Sequence, residues 1–129
     1  DKDKNVLLVK EWRLAWKREV LQVPGGVYNG KSAKGRLAQA HNELRDEIGM
    51  DAKNIRKIGS FCLGSTMKCQ FHSYLATGLF PSKKNPDEYE FVKVVKMPFA
   101  KAYNLFTKGK DPAPASTLAT FLLAKEFIK

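Results

Sequence analysis

Residues 23 to 50 read VPGGVYNGKSAKGRLAQAHNELRDEIGM. The stretch opens on Pro24, Gly25 and Gly26 and closes on Gly49 and Met50. Between them Leu37, Ala40, Leu44 and Ile48 fall at i, i+3, i+7 and i+11, one apolar stripe. The spacing predicts a helix from Ser32 or Ala33 to Ile48. Gly49 is its natural stop, because a helix end readily takes a left-handed residue. The same helix carries Glu43, Asp46 and Glu47, three carboxylates close together in a chain of formal charge +10. At about 100° per residue they project from one face, beside the apolar stripe. Like charges at this spacing cost on the order of a few tenths of a kcal/mol per pair. Two readings stand on spacing alone. Several oxygen ligands at close quarters suit a hard divalent ion such as Mg²⁺ or Mn²⁺, or the charges are solvated and screened by Arg45 and nearby lysines.

Outward from this helix, strands and helices alternate without an internal repeat. NVLLVKEWRL (5 to 14) and REVLQV (18 to 23) are rich in Val and Leu, and the short link through Ala15, Trp16 and Lys17 predicts a hairpin. IRKIGSFCL and CQFHSYLATGLF predict two more strands about a turn at Gly64 and Ser65. SKKNPDEYE (82 to 90) reads as a polar loop and EFVKVVKM (90 to 97) as a strand of alternating polarity. PFAKAYNLFTKG predicts a short helix with Pro98 near its first turn. Ser116 is placed to cap a terminal helix over TLATFLLAKEFI. The class is therefore α/β, a mixed sheet flanked by helices.

At 129 residues the chain is expected to form one domain, residues 1 to 129, and to bury about two-thirds of its unfolded surface without staples. Its 43% apolar and 28% charged residues are an ordinary globular composition. No apolar run approaches the roughly 20 residues of a membrane span, and no signal-peptide pattern opens the chain. Two cysteines, Cys62 and Cys69, without secretory context are expected as free thiols in a reducing compartment, the cytoplasm. The excess of 23 Lys and Arg over 13 Asp and Glu suggests an anionic partner such as a nucleotide or pyrophosphate. The lysines are scattered, with no clustered basic and aromatic stretch, which argues against polymeric nucleic acid. His41, near the core side of the helix, is expected to be packed and hydrogen-bonded rather than catalytic. Arg36 is open to three roles: pairing with the acidic cluster, touching a phosphate, or replacing a charge lost at Asn42.

The stretch resembles the Nudix box, written G-x5-E-x7-R-E-U-x-E-E-x-G-U with U a bulky aliphatic. Glu43, Leu44, Asp46, Glu47, Gly49 and Met50 match its second half in register, and VPGG resembles its strand-to-loop entry, with Gly26 as the first glycine. NVLLVKEWRLAWKREVLQVPGG is similar to the two strands leading into the box in the ADP-ribose pyrophosphatase branch, and the segment from His72 to Gly109 looks like that branch's later strands, acidic loop and helix. The resemblance implies a Nudix fold, a mixed β-sheet sandwiched between helices. It implies Mg²⁺ or Mn²⁺ on Glu43, Asp46 and Glu47, with Glu43 and Glu47 in the catalytic core. It also implies a general base from the acidic loop, Glu88 first among Asp87, Glu88 and Glu90. Trp12, Arg13, Gly25 and Gly26 are the implied substrate contacts, and a homodimer is the branch's common assembly. The implied reaction is cleavage of a nucleoside diphosphate linked to another moiety, with ADP-ribose or a nucleotide sugar as best guess.

Several departures bear on that expectation. The loop from Gly26 to Glu43 carries two residues more than the box. The box's first glutamate lies in the segment of Lys31 and Lys34, where no carboxylate stands, and its arginine is Asn42. Asp46 replaces a glutamate, which keeps the charge and shortens the reach. The chain begins at the second strand of the expected sheet, so an N-terminal segment precedes it or another element closes that edge. These losses set a second expectation beside the enzyme: a non-catalytic Nudix-fold module that binds a nucleotide or RNA.

Overall fold

A computed structural model describes residues 1–82 and 93–128. Strands β1 (Asn5–Arg13) and β2 (Arg18–Gln22) form the predicted hairpin, with Trp12 opposite Glu19 and Val9 opposite Gln22. Backbone bonds from Trp16 to Arg13 and from Lys17 to Leu14 close the link. Helix α1 (Ala33–Glu43) follows and runs without a break into a π-helical turn, Leu44–Ile48. Strands β3 (Met50–Gly64) and β4 (Met67–Pro81) make a long antiparallel ribbon. Strand β5 (Lys93–Pro98) returns to β1, and helices α2 (Phe99–Lys108) and α3 (Ala115–Ala124) complete the described chain. The strands form a three-stranded sheet in the order β2-β1-β5 and the separate β3–β4 ribbon, all antiparallel among the described residues.

Adjacent residues Leu8 and Val9 on β1 are both fully buried, so the central strand is covered on both faces. Leu8 joins Phe99, Ala102 and Phe106 of α2 and Phe121 and Ala124 of α3 in the main core, and Ile58 of β3 packs against it. Phe121 stacks on Phe99 at 5.2 Å between ring centroids and meets Phe106 edge-on at 4.8 Å. Such aromatic pairs contribute about 0.5–1.5 kcal/mol beyond the area they bury. On the ribbon, Phe61 and Phe71 lie directly opposite each other and stack at 5.2 Å.

Gly49 ends the helical segment in the left-handed region, φ 75°, as its position predicted. The predicted stripe of α1 is less deeply covered than its periodicity suggests. No residue of α1 proper is buried, and of the stripe only Ile48, in the π turn, is inside. Leu44 and Ala40 instead line an open cleft. With so little burial, capping contributes much of what holds the first turn. Gly35 N–H donates to Ser32 Oγ at 3.0 Å, and Ser32→Ala is expected to cost about 1 kcal/mol, read as a lowered Tm in thermal unfolding.

Two helix boundaries differ from expectation. Helix α3 is capped by Pro114, φ −55° and ψ 138°, and not by Ser116. The proline ring presets an extended residue at the helix entry, and Leu118 N–H bonds to its carbonyl at 3.0 Å, which draws Ser116 into the first turn. The helix also stops at Ala124 rather than running to Ile128, and Phe127 N–H turns back to the Ala124 carbonyl. Cys62 and Cys69 are both free thiols. No helix among the described residues is long and apolar enough to cross a membrane.

Candidate active site

Strand β2 hands its chain to the glycine loop at a fixed point, where Val23 N–H donates to the buried Thr117 Oγ1 on α3 at 3.2 Å. Pro24 then limits the backbone before the two glycines. Gly25 N–H donates to Glu47 Oε2 at 2.8 Å. At Gly26 an added Cβ would lie under 3.0 Å from the Glu43 carboxylate. Only a residue without a side chain lets the loop approach that closely. Glu43 and Glu47 therefore meet the same turn from below. Glu47 is buried at 6% exposure, and Gln39 Nε2 donates to Glu43 Oε1 at 2.6 Å.

The π turn explains which carboxylates converge. Each residue of a π-helix advances by less than the α-helical angle of about 100°, so Glu47 falls nearly in line with Glu43, and Asp46 lies farther round from Glu43 than an α-helix would put it. Among the described residues no group of three His, Cys, Asp or Glu side chains is arranged to hold a metal ion. Glu43 and Glu47 meet at the glycine loop, and Asp46 between them in sequence is half-buried. Their donor set suits Mg²⁺, which binds through one or two carboxylates and completes its shell with water and substrate phosphate.

A cleft of about 1140 Å³ opens beside this pair. The glycine loop and α1 form one wall, with Lys31, Arg36 and Glu43; the ribbon forms another, with His72 and Tyr74. Arg13 borders the cleft and pairs with Glu11 at 3.2 Å, while Trp12, 57% exposed, stands outside the lining. Lys31 borders the cleft and Lys34 is exposed on the first turn of α1. Glu88, Asp87 and Glu90 lie outside the described residues.

Several positioning residues carried no signal strong enough to be read from sequence. Tyr28 folds over Gly30 and Gly35, where any Cβ would overlap its ring or hydroxyl, and its hydroxyl approaches Ser32 Oγ at 3.4 Å. The one available hint was Gly35 itself, since a glycine inside a helix costs about 1 kcal/mol relative to alanine and needs a packing reason. Gln39, one turn before Glu43, was equally silent.

Behind the π turn, His41 Nδ1 and Asp51 Oδ1 are 2.6 Å apart, and Arg45 bonds both Asp51 Oδ2, at 2.8 Å, and Asn42. His41 is thus a hydrogen-bonded packing residue, and Arg45 ties Asp51 to Asn42. Burial pushes the Asp51 carboxyl up, but hydrogen bonds from His41, the Ala52 N–H and Arg45 outweigh it and hold Asp51 below the ordinary carboxylate range. A carboxyl lowered in the folded state stabilises above its unfolded value, near pH 4, and loses that contribution as pH falls through the lowered value. Asp51→Asn is therefore expected to lower stability by about 1–2 kcal/mol at pH 7. The gap from wild type should close in denaturant melts below about pH 4.

No protein-family model and no curated protein matches the chain. Among solved structures it is similar to one described as the crystal structure of ADP compounds hydrolase, with a TM-score of 0.79 and 22% identity. The match covers 97% of this chain and 66% of that one, so this chain spans slightly less than two-thirds of its neighbour's length. The likeness carries the architecture: the chain has the α/β Nudix fold, with sheets flanked by helices.

Proposed function

We propose that this chain is a Nudix-type hydrolase that cleaves the diphosphate of a nucleoside diphosphate joined to a second moiety. ADP-ribose and nucleotide sugars are the substrate class favoured, with nucleoside monophosphate and a phosphorylated second moiety as products. The observation that carries this reading is the convergence of Glu43 and Glu47 on the Gly25–Gly26 turn at the wall of a cleft. The name of the solved neighbour, an ADP compounds hydrolase, supports the same class.

Glu43 and Glu47 would hold Mg²⁺ or Mn²⁺, whose bound chemistry is neutralisation of phosphoryl charge and acidification of a water. The chain's own groups prepare that site. Gly25 N–H fixes one oxygen of Glu47 against the loop. The Gln39 amide orients Glu43, and the bare backbone at Gly26 keeps the carboxylate against the loop. Lys31 is placed to meet a substrate phosphate, and Glu88 is the proposed general base. A homodimer in the cytoplasm is the proposed assembly and setting.

Lys31→Ala is expected to raise KM for a diphosphate substrate about fivefold, since an exposed ion pair contributes up to about 1 kcal/mol. Calorimetric affinity for Mg²⁺ should stay nearly unchanged. A much tighter metal affinity in the variant would mean that the lysine occupies the ion's place.

The second reading is a non-catalytic module that binds a nucleotide or RNA. The lysines where the box has its first glutamate, and Asn42 where it has its arginine, favour it. One experiment separates the two: a panel of nucleoside diphosphate derivatives with Mg²⁺ or Mn²⁺, read by phosphate release through a coupled phosphatase. Turnover above the no-enzyme rate supports the hydrolase. Tight binding of the same compounds without turnover leaves the module.

A further inference from the structure

Two buried polar atoms of cleft residues, Arg36 Nε and His72 Nδ1, have no hydrogen-bond partner among the described residues. Leaving such groups unsatisfied costs about 1–3 kcal/mol each, so native folds keep few of them without a reason. They come from opposite walls, Arg36 from α1 and His72 from β4. Ser73, next to His72, turns its hydroxyl to Thr120 of α3 at 2.7 Å. Alternation along the strand therefore sends His72 to the other face of the ribbon. There burial disfavours its protonated form, and so do its charged neighbours Lys57, paired with Tyr74 across the ribbon, and Arg36. The Arg36 Nη1 donates to the Lys31 carbonyl at 3.3 Å, which orients the guanidinium, and its buried Nε has no acceptor among the described residues.

We propose that Arg36 and His72 form an oxyanion subsite that takes a phosphomonoester carried by the ligand at some distance from its diphosphate. Arg36 precedes Glu43 by seven residues, about 10 Å along a helix, so one phosphate cannot span both places. The ligand class is thus a nucleoside diphosphate derivative bearing an additional phosphate, for instance on its ribose. This rests on the proposed function only in placing the ligand in this cleft. A dianion among Arg36, Lys57 and His72 would satisfy the Nε donor and draw a proton onto the imidazole.

The chain holds two histidines, His41 and His72, so their titrations are separable by NMR, with His41→Gln giving the assignment. The probes are adenosine 3′,5′-bisphosphate, AMP and inorganic phosphate, each added with a chelator present. Hydrolysis and divalent metal then play no part, and failure of the hydrolase reading leaves this test intact. Expected for wild type is a rise of about one unit in the His72 midpoint with the bisphosphate, little change with AMP, and an unmoved His41. The bisphosphate should bind about tenfold more tightly than AMP, a difference that Arg36→Gln removes. An unmoved His72 midpoint, or equal wild-type affinities for bisphosphate and AMP, overturns the subsite. A response to inorganic phosphate that matches the bisphosphate, without tighter bisphosphate binding, overturns the ligand class. The wild-type comparison alone decides if Arg36→Gln fails to fold.

Discussion

Glu47→Gln is expected to weaken Mg²⁺ or Mn²⁺ binding by well over tenfold and to lower turnover of a diphosphate substrate by about a thousandfold. A neutral amide keeps the shape of the side chain but loses the charge that holds a hard cation. It also retains an acceptor for Gly25 N–H, which now bonds Glu47 Oε2 at 2.8 Å, so the loop should stay in place. Loss of the buried charge should leave the fold standing, because Glu47 is only 6% exposed and a carboxylate at that depth is itself costly. Calorimetry with Mn²⁺ and a coupled phosphatase assay check the two effects separately. Equal metal affinity in wild type and variant would remove the metal from this site and leave the nucleotide-binding module as the better reading.

Gly26→Ala should damage activity through geometry alone. The new methyl would lie under 3.0 Å from the Glu43 carboxylate, which also accepts a hydrogen bond from Gln39. Glu43 has to shift to admit it and gives up its hydrogen bond from Gln39, so thermal stability should fall by about 1 kcal/mol. Displacing a ligand carboxylate by an ångström or more is expected to lower kcat by about a hundredfold. Gly25→Ala is the internal control. Nothing lies within 4 Å of a Cβ there, and the Gly25 N–H remains available to Glu47. A Gly26→Ala enzyme with wild-type kcat would show that Glu43 does not act from its place on the loop.

Much of the architecture was legible before any coordinates. The stripe through Leu37, Ala40, Leu44 and Ile48 and the Gly49 stop announced a helix because a 3.6-residue period and a left-handed stop are local properties. The β1–β2 hairpin and the β3–β4 ribbon were readable for the same reason: alternation and turn residues act over a few positions. The Pro114 cap was missed because Ser116 and Pro114 are both good entries to a helix, and packing chose the earlier one.

The candidate site divides along the same line. Sequence alone determined that Gly25, Gly26, Glu43 and Glu47 belong to one loop-helix unit, since register along a chain needs no fold to define it. Tertiary structure decided that Glu43 and Glu47 both meet the Gly25–Gly26 loop, because a single π turn shifts azimuth without any compositional mark. It also decided that Arg36 meets the surroundings of His72, 36 positions away, and that Tyr28 fills the space left by Gly35. Such meetings depend on how a helix and a ribbon pack, and packing sums many weak contacts from the whole chain that no short stretch of sequence contains.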